Sequence, residues 1–270
     1  MKDNFNNIEF DLLNTGVTLF IKISNYHQSS KIIGDLKGKI LKSNFKLDFI
    51  YDKNSLKFDN LYFRDKDLSF NSEGNIIFEP FFKVNLNSEI ENINSYLLKE
   101  LDVINILSSK DLIKKLNGQF NINFKSKKFK KNLIDNLKID TELVFGRLNF
   151  SKNLSIFDSE ISCSGEINLL DEFPVILFDC FVDSLDKKTL FKKMNIDKKI
   201  GNEIINLKAK GNLNILNNKI NFNYIEINKS KFNKEDLKYF KINFEKILFD
   251  ENFLKIFRLK KIKKFVEEVN

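Results

Sequence analysis

The chain has 270 residues, 42% of them hydrophobic, with 29 Phe, no Trp, two Pro and two Cys. That is enough for one large domain or two small ones. The formal charge is +8, but 37 acidic residues are spread among 45 basic ones. Lys, Asn, Ile and Phe share codons rich in A and T, so base composition accounts for the excess without a polyanion partner. The longest apolar runs, such as 173-FPVILF-178, fall far short of the ~20 residues that cross a bilayer.

In chain order, the start shows no secretory signal, because Asp3, Glu9 and Asp11 interrupt any apolar core there. It already reads as the middle of a strand, which suggests a region upstream. The segments 8–24, 38–52, 55–65 and 67–78 alternate apolar and polar residues. Turn formers separate them: Asn14-Thr15-Gly16, Asp52-Lys53-Asn54 and Arg64-Asp65-Lys66. Period two with this punctuation predicts an antiparallel meander, apolar on one face. In 55–65 the phase slips at Asn60, as at a bulge. The stretch 34-GDLKGK-39 lacks a phosphate-loop pattern and reads as a glycine-containing turn. The one His, His27, lies in a polar turn.

The period then changes. Ile93, Leu97, Leu101, Ile104 and Leu112 recur at helical spacing, predicting helix over 91–116 with a break at Ser108 to Asp111. Strands resume over 118–126, 139–151 and 154–170, and a helix is predicted over 184–195. A third β block covers 204–227, and helical material covers 233–269. These elements group as 1–115, 116–200 and 201–270, in one continuous architecture. The fold class is mainly β with helical inserts: repeated antiparallel meanders in a curved, elongated sheet, with C-terminal helices.

Gly74, Ile76, Phe78, Phe82, Val84 and Leu86 match Gly165, Ile167, Leu169, Phe173, Val175 and Leu177 at an offset of 91. The stretch 211-GNLNI-215 is a shorter echo, with Leu213 and Ile215 at the apolar positions. Each long copy follows alternating strands and precedes a predicted helix, which indicates a duplicated β unit. Strands apolar on one face must curl, pack on helices or bury an apolar ligand. These residues are therefore the candidate lining of an apolar groove, the alternative being an ordinary closed core.

No catalytic, cofactor-binding or metal-ligating motif is present, and adjacent carboxylates such as Asp171/Glu172 read as solvated surface. The chain reads as a non-enzyme. Cys163 shares strand parity with Ile161 and Ile167 and reads as a buried thiol, with a Cys163–Cys180 disulfide as the alternative. Two stretches are basic. One is 125-KSKKFKK-131. The other is 258-RLKKIKKF-265, where Leu259, Ile262 and Phe265 form a helical stripe. That stripe can dock on the sheet or lie on an anionic membrane surface. Nucleic acid is not an expected partner.

The phrases 67-DLSFNSEGNIIFEPFFKVNLNSEIENINSYL-97 and 159-SEISCSGEINLLDEFPVILFDCFVDSLDKKTL-190 resemble the AsmA-like family of bacterial envelope proteins, and 202-NEIINLKAKGNLNILNNKINFNYIEI-227 resembles its C-terminal end. The resemblance implies a repetitive β-groove, phospholipid or another acyl-chain lipid as partner, a role in outer-membrane lipid homeostasis, and a periplasmic location. Family members carry an N-terminal inner-membrane helix, which this sequence lacks as it stands.

Overall fold

The computed structural model describes residues 5–12, 17–25, 31–40, 42–93, 110–125, 136–156, 159–184, 188, 191–192, 204–248 and 259–269. Seven strands form the first meander: β1 (Phe5–Leu12), β2 (Val17–Asn25), β3 (Ile32–Ile40), β4 (Ser43–Asp52), β5 (Ser55–Arg64), β6 (Leu68–Ile77) and β7 (Lys83–Ile93). A short helix, α1 (Lys110–Lys115), leads into β8 (Asn117–Lys125), β9 (Asn136–Val144), β10 (Arg147–Ile156), β11 (Ser159–Asn168), β12 (Val175–Ser184), β13 (Ile205–Asn214), β14 (Lys219–Ile227) and the two-residue β15 (Ser230–Lys231). Two helices follow, α2 (Lys234–Leu248) and α3 (Leu259–Val269).

All fifteen strands belong to one sheet, in sequence order. The sheet is curved and unclosed, with β1 and β15 as its edges. Every neighbouring pair is antiparallel except β7 and β8, which run parallel from Lys83↔Asn117 to Ile90↔Phe124. The expected meander is thus two meanders joined side by side. A parallel pair needs a crossover longer than a hairpin, and residues 94–116 supply it.

Side-chain alternation explains why one sheet forms. Across β2, β3 and β4 the register aligns Ile21, Leu36 and Leu47, and beside them Ile23, Gly34 and Phe49. Each hairpin therefore adds most of its apolar residues to the same face. The opposite face collects Lys, Asp, Asn and Ser, with Phe20, Ile33 and Ile50 among them. Cross-strand Asn pairs are part of it: Asn85 Nδ2 donates to Asn75 Oδ1 at 3.1 Å, and Asn121 Nδ2 to Asn87 Oδ1 at 2.8 Å. Exposed ion pairs such as Lys210–Asp179 and Lys138–Asp140 also lie there, each worth about 1 kcal/mol or less. The near-balanced charges of the sequence are this polar face.

The bulge expected at Asn60 is present. The β5–β6 register shifts between Phe58 and Leu61, and Asn60 has φ 53°. Three other expectations are corrected. Residues 34–39 are strand, not turn: Gly34 and Gly38 lie opposite Phe49 and Phe45, whose rings cover them. The predicted strand 139–151 is a hairpin, turning at Phe145-Gly146. Residues 91–93 belong to β7, not to a helix, because the β6–β7 register shifts between Ser69 and Phe70 and so breaks the alternation that marks a strand. Residues 94–109, most of 184–195, His27 and residues 126–131 of the first basic stretch lie outside the described residues.

The C-terminal end is where the apolar face becomes a closed core. Asn233 caps α2, accepting from the Glu235 and Asp236 backbone N–H groups at 2.8 and 2.9 Å, while Asp236 Oδ2 accepts from Asn233 N at 3.2 Å. Glu245 ties α2 to β14, accepting from Ile220 N at 3.1 Å and Lys219 Nζ at 3.2 Å. Leu213 and Ile220 are buried against Ile176, Phe178, Phe222 and Phe244. Phe265 of α3 is buried with Ile247 and Leu248 and meets Phe240 and Phe244 edge-on, at 5.1 and 5.3 Å between ring centres. In the basic stripe of α3, Phe265 is thus occupied by α2.

Candidate functional site

The register defines the apolar face residue by residue. One row, in part, runs Phe45, Phe63, Phe70, Ile90, Phe124, Leu137, Leu154, Ile161, Val182 and Leu207. A second includes Leu56, Ile76, Val84, Gly118, Leu143, Leu148, Ile167, Ile176, Leu213 and Ile220. The face crosses about 33 Å along strands of roughly ten residues, at ~3.3 Å per residue.

Burial divides this face in two. From β2 to β7 its strand side chains are half-exposed, apart from buried Phe58 and Ser72, exposed Tyr51 and those not described. At β13 and β14, Leu213, Ile220 and Ile225 are buried, with α2 packed on β14 and α3 on α2, while Ile176, Phe178, Cys180 and Val182 of β12 stay half-buried. Among the described residues, no two strands that are not sheet neighbours pack together extensively; α2 on β14 is the extended helix contact with the sheet. Monomeric proteins rarely leave contiguous apolar patches larger than a few hundred Å² unless something binds there.

Of the predicted lining residues, Ile76, Val84, Leu86 and Ile167 lie on the apolar face. Leu213 does too, but at 7% exposure it belongs to the closed core under α2. Phe78, Phe82, Leu169, Phe173 and Ile215 lie in turns. Val175 and Leu177 are corrections. Leu177 pairs with Glu166 and Asn212 on the polar face and is 49% exposed, and Val175 shares its side. The cause is one residue of turn length. Five residues join β6 to β7 and six join β11 to β12. The constant offset therefore breaks at the turn, and Ile176 and Phe178 are the counterparts of Val84 and Leu86. A one-residue slip moves a strand's side chains to the other face.

The glycines of the repeat mark close approach rather than turns. Gly74 lies opposite Phe58, Gly165 opposite Phe150 and Gly211 opposite Phe178, each under the aromatic ring. Phe150 and the alternation in 118-GQFNINFK-125, which brings Phe120, Ile122 and Phe124 to the apolar face, were missed as lining. A Phe answered by a Gly in the next strand is the signal that finds such positions.

Cys163 and Cys180 are directly opposite on β11 and β12, also on the apolar face, and form a disulfide. The expected buried thiols are corrected accordingly. The 17-residue separation gives a cross-link worth about 3 kcal/mol against the unfolded chain. The other polar groups on this face are mostly paired hydroxyls. Ser72 and Ser88 share a hydrogen bond at 2.7 Å, and Ser159 donates to Ser184 at 2.8 Å. Lys152 is the exception in charge. It lies between Ile139 and Cys163 in the register, and burial lowers its ammonium pKa from the ordinary lysine value.

One rim of the sheet gathers exposed aromatic rings at its turns. Phe81 is 66% exposed and Phe145 58%, their ring centres 6.3 Å apart and edge-on. Tyr51 and Phe78 form a second pair at 6.3 Å. Lys110 of α1 reaches the same rim, donating to the Leu170 and Asp171 carbonyls at 3.1 and 3.2 Å. Among the described residues no cluster of three or more His, Cys, Asp or Glu forms a candidate metal site, and no helix is long and apolar enough to cross a membrane. The chain matches no family model, no curated protein and no solved structure.

Proposed function

We propose that this protein is a non-enzymatic lipid-binding protein of the cell envelope, AsmA-like in type. In this reading it holds or conducts the acyl chains of phospholipids along its apolar face, in support of outer-membrane lipid homeostasis. The observation that carries the reading is the face itself: apolar across the sheet, and half-exposed from β2 to β7. The mechanism is passive. Acyl chains lie against Phe, Ile, Leu and Val while headgroups remain in water. Each buried methylene contributes about 0.8 kcal/mol, so no polar site is needed for affinity. The disulfide on the apolar face favours an oxidising compartment such as the periplasm.

The test is native mass spectrometry of the chain, with organic extraction of whatever co-purifies and re-addition of a fluorescent acyl-chain phospholipid. Expected are phospholipid adducts in the extract and uptake of the probe by the stripped protein. A protein that purifies free of lipid and takes up no probe would sink the reading. A second reading, a structural or protein-interaction domain with a closed core, is favoured by one feature: α2 packs on β14 and closes a core around Leu213 and Ile220. It predicts a folded protein in which acyl probes never bind.

A further inference from the structure

We infer that the rim formed by the turns at 78–82, 145–146 and 169–174 is a membrane-docking edge, and that its partner is the surface of a zwitterionic phospholipid bilayer. The inference goes beyond the acyl-chain reading above and stands without it. Phe78, Phe81, Phe82, Phe145 and Phe173 all lie in these turns and are all exposed. Among the described residues the one other exposed Phe is Phe20, inside β2. The opposite rim differs in kind, since its described turns carry Lys42, Asp65-Lys66-Asp67 and Asn228-Lys229. Local structure does not call for these rings. Phe145 has φ 46°, in the left-handed region that disfavours bulky side chains, and its ring is more than half in water. Contact outside the sheet accounts for a ring kept there.

Two features select a bilayer over a protein partner. The rings form a line, not a patch. They run from the end of β6 to the start of β12, six strand spacings or about 29 Å. A stable protein interface buries a contiguous area of roughly 800 Å² on each partner, whereas a fluid layer closes around each ring separately. The exposed charges beside the rings are also mixed: Glu79, Asp171 and Glu172 against Lys53 and Arg147. An anionic surface gains little from that set, so affinity comes from apolar area. Ile77, Val144 and Val175 hold the polar-face positions next to this rim, so apolar character wraps around the edge. On the other face the rim meets the row of Ile76, Val84, Leu143 and Leu148. A chain leaving a docked bilayer therefore reaches the apolar face directly.

The chain has no Trp, so a single introduced Trp reports its own surroundings. Phe81→Trp, Phe145→Trp and, on the opposite rim, Lys66→Trp are made in the full chain and mixed with phosphatidylcholine vesicles. Expected are blue-shifted emission and quenching by acyl-brominated phosphatidylcholine for the first two, and no change for Lys66→Trp. Vesicle flotation should weaken roughly tenfold for each ring removed by Phe81→Ser or Phe145→Asn, and roughly a hundredfold for the pair. Asn is the residue this turn favours, so lost flotation in Phe145→Asn is not lost folding. Equal quenching at both rims, flotation that survives the double variant, or no flotation of native protein overturns the inference. So does flotation that requires phosphatidylglycerol and falls with salt, which assigns membrane contact to the basic stripe of α3. A blue shift without vesicles that grows with protein concentration overturns it too, making the rim an interface between copies. Uptake of a soluble acyl probe, measured alongside, keeps the two readings apart: native protein that floats but takes up no probe sinks the acyl-chain reading and leaves the docking edge standing.

Discussion

Replacing Gly165 with Ala places a Cβ against the Leu177 carbonyl oxygen and 2.7 Å from Phe150 Cζ. The ring can swing away, but the carbonyl is held by the β11–β12 ladder. At Gly38 the three nearest atoms all belong to side chains, two in the Phe45 ring and Leu19 Cδ2 at 2.8 Å. Overpacking of this kind costs about 1–3 kcal/mol, and Ala returns about 0.4–1 kcal/mol by stiffening the unfolded chain. Gly165→Ala should therefore lose close to the full upper figure and Gly38→Ala about 1 kcal/mol or less. Each strand packs chiefly on its two neighbours, so the damage should stay local, as in repeat proteins. Amide hydrogen exchange followed by mass spectrometry should show β11 and β12 exchanging faster by roughly 30- to 140-fold, the equivalent of about 2–3 kcal/mol, with β2–β5 unchanged. Adding Phe45→Leu should rescue Gly38→Ala; adding Phe150→Leu should not rescue Gly165→Ala. Equal losses at the two sites, or rescue at both, would refute the assignment of backbone contact to one and ring contact to the other.

The two-residue turn at Phe145-Gly146 has positive φ at both positions, 46° and 85°, where Asn-Gly is the favoured pair. Phe145→Asn is accordingly expected to stabilise the β9–β10 hairpin by about 0.5–1 kcal/mol, read as slower amide exchange there; faster exchange would contradict the turn. The phase of β12 predicts that Leu177→Lys, on the polar face, changes stability by about 0.5 kcal/mol or less. Ile176→Lys, facing Leu213, should cost several times that in urea denaturation, and the reverse order would restore the constant offset. Lys152 has a lowered folded pKa, so between that value and its ordinary one the unfolded chain binds more protons, and stability rises with pH. Lys152→Met is therefore expected to stabilise the ligand-free protein at neutral pH. That gain should shrink as pH rises through the lysine range, and a gain independent of pH would contradict it.

Alternation carried most of the fold. The bulge at Asn60 was visible because a slipped phase has one cheap structural cause. Residues 34–39 were misread because glycine is both a turn former and the one residue that fits beneath a cross-strand Phe ring, and the ring belongs to β4. Val175 and Leu177 were misplaced because sequence alignment counts residues while a sheet counts parity, and one extra turn residue separates the two. The parallel β7–β8 pair and the disulfide depend on which strands become neighbours, a non-local fact that no window of sequence contains. Lys152 shares its alternation with Phe150 and Leu154, but among 45 basic residues one lysine out of phase does not stand out until the whole face is assembled.

The central claim is that acyl chains lie against one face of this sheet. It is tested most directly by photo-crosslinking the full chain with a phospholipid carrying a diazirine midway along one acyl chain, then mapping the adducts by peptide sequencing. The account predicts adducts at apolar-face positions such as Leu36, Phe63, Leu86 and Ile122, and none at polar-face neighbours such as Lys37, Asn87 and Asn121. Adducts shared evenly between the two faces, confined to the aromatic rim, or absent altogether would contradict it.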